Sequence, residues 1–307
     1  MGSLKKKALN FVCIASPHMR AVEDQLSSAI GGALRGWTLS QSHLKPVEGV
    51  LNFTFFVTRP AQVFMSHGVA DKNYLLRRDR KGRPVIARYD RVLVPGPWLR
   101  DRLLSELNGQ IDPAKIQSVG WPRIDALRAR QSEMGADDTS ARRRRVLWAP
   151  TLSGEGDTSS YPALMAHIPA LRRDFDLAIS VHPADRGGGP TTFDQLLWAD
   201  VVISDHGTLV YEAWALGKPV IFPSWLIGDA VQRAFPGSAE SHLFAQGIGE
   251  HATGIDDLTT RIEAASGVEA DVEQFMGQYL DPTGSKNSAQ KIAESVIGLS
   301  NGYVADL

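Results

Sequence analysis

One stretch restricts the fold more than any other: Ala199 to Pro223, reading ADVVISDHGTLVYEAWALGKPVIFP. Val201 to Ile203 is a β-branched run suited to a buried strand. From Gly207 onward, Leu209, Ala213 and Leu216 recur at helical spacing, and Val220 to Phe222 is a second apolar run closed by Pro223. Strand, polar turn, short helix and strand make half of a doubly wound α/β unit, in which ligands bind at the carboxyl ends of strands. The turn formed by Ser204, Asp205, His206, Gly207 and Thr208 falls at such an end. Its glycine lets backbone approach a ligand, and the helix N-terminus behind it favours anions.

The same grammar runs along the rest of the chain. Leu9 to Ala15, Leu51 to Val57, Gln62 to Met65, Arg91 to Val94 and Ile116 to Val119 read as strands. Arg20 to Ala33 and the segment from Pro97 to Leu107 read as helices. Gln131 to Ser140 is small and polar, and the basic run Arg142 to Arg145 follows it, which makes this the best linker. A second series then opens: a strand at Val146 to Ala149, a helix around Ala163 to Arg173, a strand at Leu177 to Val181, a short helix near Phe193 to Trp198, and the stretch above. A helix from about Ser285 to Leu299 ends the pattern. At 307 residues, two domains are expected, 1–135 and 136–307, each Rossmann-like and facing a cleft.

Composition excludes several classes. A hydrophobic fraction of 43% with 22% charged residues is ordinary for a globular chain. A net charge of −1 gives no global field for nucleic acid or membrane, although a local basic cleft would suffice for a nucleic-acid acceptor. The single cysteine, Cys13, rules out a disulfide framework and fits a reducing compartment. The run from Ala8 to Ala15 is too short for a signal peptide, and no apolar run reaches the roughly 20 residues of a membrane span. A cytoplasmic location is expected, with at most a peripheral contact of Lys5 to Lys7 at the inner membrane face.

Each candidate site residue has a plain alternative. His67 follows a strand and precedes Gly68, where a histidine can act as general base; it can equally be a loop histidine bonded to backbone. His182 and Arg186, before three glycines, would suit a diphosphate, but the glycines match neither the dinucleotide nor the P-loop fingerprint. Thr208 can cap its helix and meet a phosphate, and Glu212 lies one turn further on, able to bind ribose hydroxyls. For Asp205 and Thr208 the plain alternative is N-capping. The basic residues from Arg77 to Arg83 could attract an anionic acceptor or form a solvated loop, and Arg142 to Arg145 favour the solvated reading. Trp121 and Trp148 read as packing residues. No His, Cys or carboxylate spacing suggests a metal, and no cofactor is expected.

The order of these motifs resembles the CDP-glycerol glycerophosphotransferase family, which includes the teichoic acid polymerases. The family's His-Gly-Thr-Pro-Leu-Lys segment is similar to His67 to Lys72, with His67, Gly68 and Lys72 at the same spacing. Its Gly-x-Pro-Arg-x-Asp segment is matched by Gly120, Pro122, Arg123 and Asp125, and its apolar-Ala-Pro-Thr segment by Val146 to Thr151. The His-Pro pair is His182-Pro183, the Ser-Asp segment with an acid eight residues on is Ser204, Asp205 and Glu212, and the Lys-Pro-apolar strand is Lys218 to Phe222. The chain departs at His206-Gly207-Thr208, where the family has Tyr-Ser-Ser, at Glu212 in place of Asp, and at Ser180 in place of Arg.

The resemblance implies a GT-B fold and a transferase that moves a glycerophosphate or glycosyl group from a CDP-type nucleotide donor to an acceptor hydroxyl, on a polyol phosphate, a capsule sugar or another polymer. It implies His67 as base, His182 with Arg186 and Thr208 against the leaving phosphates, Ser204, Asp205, His206, Gly207 and Glu212 around the donor, and Gly68, Lys72 and Arg123 toward the acceptor. The form Gly207-Thr208 with Glu212 also fits a UDP- or CMP-sugar glycosyltransferase or a nucleotide-sugar 2-epimerase. The departures at His206 and Ser180 fit a nucleotide-binding protein without turnover.

Overall fold

The computed structural model describes residues 7–14, 16, 19–71, 73–135, 142–152, 156–181, 192–280 and 286–305. Its strands are β1 Ala8–Cys13, β2 Thr38–His43, β3 Leu51–Thr54, β4 Val63–Met65, β5 Arg91–Val94, β6 Ile116–Ser118, β7 Arg145–Ala149, β8 Asp176–Ile179, β9 Val201–Ser204, β10 Val220–Phe222 and β11 Glu250–His251. Its α-helices are α1 Arg20–Ala33, α2 Pro97–Leu107, α3 Pro122–Met134, α4 Ile168–Asp174, α5 Thr192–Trp198, α6 Thr208–Ala215, α7 Ser224–Ile227, α8 Ala230–Ala234, α9 Ala239–Gln246, α10 Ile255–Ala264, α11 Ala270–Tyr279 and α12 Ser288–Ala305.

The chain divides into two compact units. The first comprises Met1–Val69, Asn73–Asp125 and Gly277–Leu307; the second comprises Ala70–Lys72 and Ala126–Met276. The first contains a six-stranded parallel sheet in the order β2-β1-β3-β4-β5-β6. Of its inner strands, β1, β3 and β4 are buried throughout, as parallel strands covered on both faces must be. Phe64, Tyr89, Val92, Val94, Leu99, Leu103 and Leu107 form one core cluster between sheet and α2. The edge strand β2, TLSQSH, is polar and exposed, so apolar patterning does not reveal it. Buried Asn10 on β1 holds it, donating to the Ser42 hydroxyl (2.8 Å) and accepting from the Ser40 hydroxyl (3.0 Å).

The last helix belongs with this first sheet. The Asp125 carboxylate accepts the Ser288 N–H at 2.7 Å, and the Ser295 hydroxyl donates to Gln117 at 2.6 Å. The Tyr303 hydroxyl donates to the Asp90 carboxylate. Gly120, at φ +81°, sits where an added Cβ would overlap the Ser288 hydroxyl. The Gly-x-Pro-Arg-x-Asp segment is thus the seat of the α12 N-terminus. The boundary drawn from sequence, with 136–307 as the second domain, follows chain order. The compact units instead return Gly277–Leu307 to the first and begin the second, beyond Ala70–Lys72, at Ala126.

The second unit contains a five-stranded parallel sheet in the order β11-β10-β9-β7-β8. Val146, Trp148, Ile203, Ile221, Leu258 and Ile262 fill its core. Two local expectations change. The linker expected from Gln131 is helical through Met134, with residues 136–141 outside the described set. The helix expected over Ala163 to Arg173 is a 3-10 turn, Ala163–His167, followed by α4.

The basic run also differs from a solvated linker. Arg142 grips Asp200 through both guanidinium arms at 2.7 and 2.8 Å. Arg143 donates to the carbonyls of Arg172 and Phe175 at 2.7 Å each. Arg144 donates to those of Ile262 and Ala265 at 2.7 and 2.5 Å. These carbonyls lie at the C-terminal ends of α4 and α10, where unpaired acceptors and the negative end of the helix dipole favour cations.

Candidate functional site

The second sheet reverses its strand order between β7 and β9, with Ala149 in register with Ser204. Such a switch point opens a crevice at the carboxyl ends of the strands. The chain leaves β7 into Pro150 and Thr151, and leaves β9 into the Ser204–Thr208 turn. Both segments singled out in the sequence therefore flank one switch point.

Each residue of the turn has a distinct place. The Ser204 hydroxyl donates to the Ala149 carbonyl at 3.0 Å, joining the two strand ends. Asp205 is fully buried, and its Oδ2 accepts the backbone N–H of Thr151 (2.8 Å) and of Ser160 (3.0 Å). Burial pushes the Asp205 carboxyl up to about 6, against the lowering effect of hydrogen bonds from Ser160, Thr151 and Ser159. His206 is buried, with its ring 5.3 Å from that of Phe235. Gly207 sits at φ +106°, ψ −172°, and its N–H donates to Glu240 Oε2 at 3.2 Å. Thr208 starts α6, half-buried, and Glu212, one turn along, is 1% exposed.

Beneath the turn lies a support that the sequence reading did not identify. Glu240, at the start of α9, also accepts the Tyr211 hydroxyl at 2.8 Å. Asp71, assigned to this second unit, accepts the Ala239 N–H at 3.2 Å. Ser160 takes the Trp148 indole N–H on its hydroxyl at 3.0 Å. Tyr211 and Glu240 are 29 residues apart, and no periodicity links them. The run Thr158, Ser159 and Ser160 was a visible polar signal close after the Ala-Pro-Thr segment. At the carboxyl ends of β10 and β11, Ser224 Oγ and His251 Nδ1 lie 2.8 Å apart.

The first unit places His67 just after β4. Its ring stacks on Phe56 at 4.8 Å with a 17° interplanar angle, and on Tyr74 at 6.2 Å. Nδ1 lies 3.4 Å from the Phe55 carbonyl, and the imidazole is half-buried. The Ser66 hydroxyl meets the Tyr74 hydroxyl and accepts the Gly68 N–H at 3.1 Å, which shapes the bend around His67. Arg123, on the first turn of α3, donates to Gln25 at 2.9 Å. Lys72, His182 and Arg186 lie outside the described residues. Among the described residues, no group of three or more His, Cys, Asp and Glu side chains is placed to hold a metal ion, and no helix is long and apolar enough to cross a membrane.

No family model and no curated protein matches the chain. Solved structures do. The wall teichoic acid polymerase TagF, in a variant soaked with CDPG, matches with a TM-score of 0.62 at 12% identity, over 98% of this chain and 90% of that one. The UDP-GlcNAc 2-epimerase of Methanocaldococcus jannaschii, in complex with UDP-GlcNAc and UDP, matches with a TM-score of 0.52 at 14% identity, over 94% and 99%. The fold is GT-B. With two parallel α/β sheets of six and five strands, the chain shares the architecture of both enzymes at identities that speak for fold alone.

Proposed function

We propose that the chain is an enzyme acting on a nucleotide-activated substrate: a transferase that moves a glycerophosphate or glycosyl group from a nucleoside diphosphate donor, of CDP type, to an acceptor hydroxyl. The observation that carries this reading is the Ser204–Thr208 turn at the switch point between β7 and β9. Gly207 holds a conformation reserved for glycine and leads into the N-terminus of an eight-residue helix. Backbone N–H groups and the helix dipole there suit a diphosphate, with the Thr208 hydroxyl adding a donor and Glu212 accepting from ribose hydroxyls. His67 is the base that takes the proton from the acceptor hydroxyl, while the oxygen attacks the donor's phosphorus or a sugar's anomeric carbon. His182 and Arg186 stabilise the leaving phosphates, and Gly68, Lys72 and Arg123 bind the acceptor.

A 2-epimerase or UDP-sugar glycosyltransferase is the second reading, favoured by Gly207-Thr208 with Glu212 on the following helix. Thermal shifts with CDP-glycerol, CMP-linked and UDP-linked sugars separate the two. Stabilisation by CDP-glycerol alone supports the first, and stabilisation by UDP-sugars alone supports the second. For the base, turnover of the donor that binds is compared between wild type and His67→Ala. A loss of roughly 10²- to 10⁴-fold is expected, and equal rates remove His67 from that role.

A further inference from the structure

We propose that Asp205 is a positioning residue: its carboxylate fastens Thr151 and Ser160 to the Ser204–Thr208 turn and so fixes both sides of the switch point between β7 and β9. What the site holds rests on the nucleotide-donor reading above; the fastening itself rests on geometry.

None of the Asp205 side chain is exposed to solvent, and its hydrogen bonds are made inside the fold. Its Oδ2 takes the Thr151 and Ser160 N–H groups at 2.8 and 3.0 Å. Its Oδ1 is buried with no hydrogen-bond partner among the described residues. The bonds around it reinforce the same junction. The Ser159 hydroxyl donates to the Thr151 carbonyl at 3.0 Å, the Ser204 hydroxyl to Ala149 at 3.0 Å, and the Trp148 indole to Ser160 at 3.0 Å. Asp205 is the member of this set that reaches both ends of the 151–160 segment from β9.

A full charge is not needed to accept two N–H groups. An asparagine of the same shape accepts them through its carbonyl. Burial works against the ionised form here, as the upward shift of the carboxyl to about 6 records. What the charge adds is grip, because charge-assisted hydrogen bonds are shorter and roughly twice as strong as neutral ones. The site is thereby held in its binding geometry before the ligand arrives, which lowers the ordering that binding would otherwise require. The groups facing the carboxylate are the Thr151 and Ser160 amides and the Ser159 and Ser160 hydroxyls, with His206 and Ser204 adjacent in the chain.

The test compares wild type, Asp205→Asn and Asp205→Ala in the full chain, with CDP as the probe. At pH 7.5, Asp205→Asn is expected to melt at the wild-type temperature or above it. Its Thr151 and Ser160 amides should exchange with solvent about tenfold faster, and CDP should bind about tenfold more weakly. Lowering the pH to 5 protonates the wild-type carboxyl, so the affinity gap between wild type and Asp205→Asn should close. Asp205→Ala should lose both thermal stability and affinity. Two results overturn the proposal: unchanged amide exchange and CDP affinity in Asp205→Asn, or a melting temperature that falls in step with affinity. If wild type binds neither CDP nor UDP, the donor reading fails, and the amide exchange still decides whether Asp205 fastens the junction.

Discussion

Gly207 illustrates how one backbone angle sets a site. At φ +106° no L-residue is at ease, yet an added Cβ would meet nothing within 4 Å. The requirement is therefore conformational, not one of space. Gly207→Ala should destabilise the fold by about 1–3 kcal/mol and, on the proposed nucleotide reading, weaken CDP binding, because the strained residue would pull its N–H from Glu240. A thermal melt and a CDP titration of the variant check both effects, and a variant matching wild type in both would show that the turn relaxes without loss. His67 shows the opposite strategy. Its ring is set by stacking on Phe56 and by the nearby Phe55 carbonyl, both from the chain leaving β3. The sequence presented His67 only as a histidine after a strand, and the aromatic seat forms because β3, the preceding strand in the chain, pairs with β4.

Among the elements, α12 is the one whose place the sequence left open. Its amphipathic pattern marks a helix. Its partner is fixed by Gly120 and Asp125, which receive Ser288. Asp125→Ala leaves a helix-end N–H without its acceptor and should cost about 1 kcal/mol. Gly120→Ala adds strain at positive φ to an overlap with Ser288 and should cost about 2–4 kcal/mol. Urea unfolding of both variants gives the comparison, and an equal, negligible effect of the two would mean that α12 does not seat there. The inner strands of the two sheets were legible because they are largely apolar on both faces. The edge strand β2 was not, since an edge needs no apolar pattern to pair. The basic run from Arg142 was misread for a related reason: the carbonyls it caps lie 29 to 121 residues away.

For the whole molecule, buried titrating groups shape the pH dependence. Asp205, raised from 3.8 to about 6 on folding, gives stability that is fully present below 3.8 and lost as the pH rises through 6. His251, lowered by burial, works the other way, with stability present above 6.5 and lost as the pH falls. Lys218, lowered from 10.5 to about 8 by burial while it donates to the Leu197 and Ala199 carbonyls, gives stability present above 10.5 and lost as the pH falls through 8. The difference in melting temperature between Asp205→Asn and wild type cancels the other groups. It should be largest above pH 6.5 and shrink toward pH 4. A difference constant across that range would mean that Asp205 does not titrate between those values.

The sequence by itself determined the α/β class, the inner strands, the glycine turn after β9 and the set of polar residues at strand ends. Those signals are local: apolar period, turn chemistry and helix-start residues act within a few positions of chain. Tertiary structure alone decided that Asp205 turns inward to hold Thr151 and Ser160, that Glu240 supports Gly207, and that the last helix joins the first sheet. Each of these joins residues 33 to 213 positions apart. Contacts of that range arise because buried N–H groups and carboxylates must find partners once packing has removed water, and no local pattern records which partner they find.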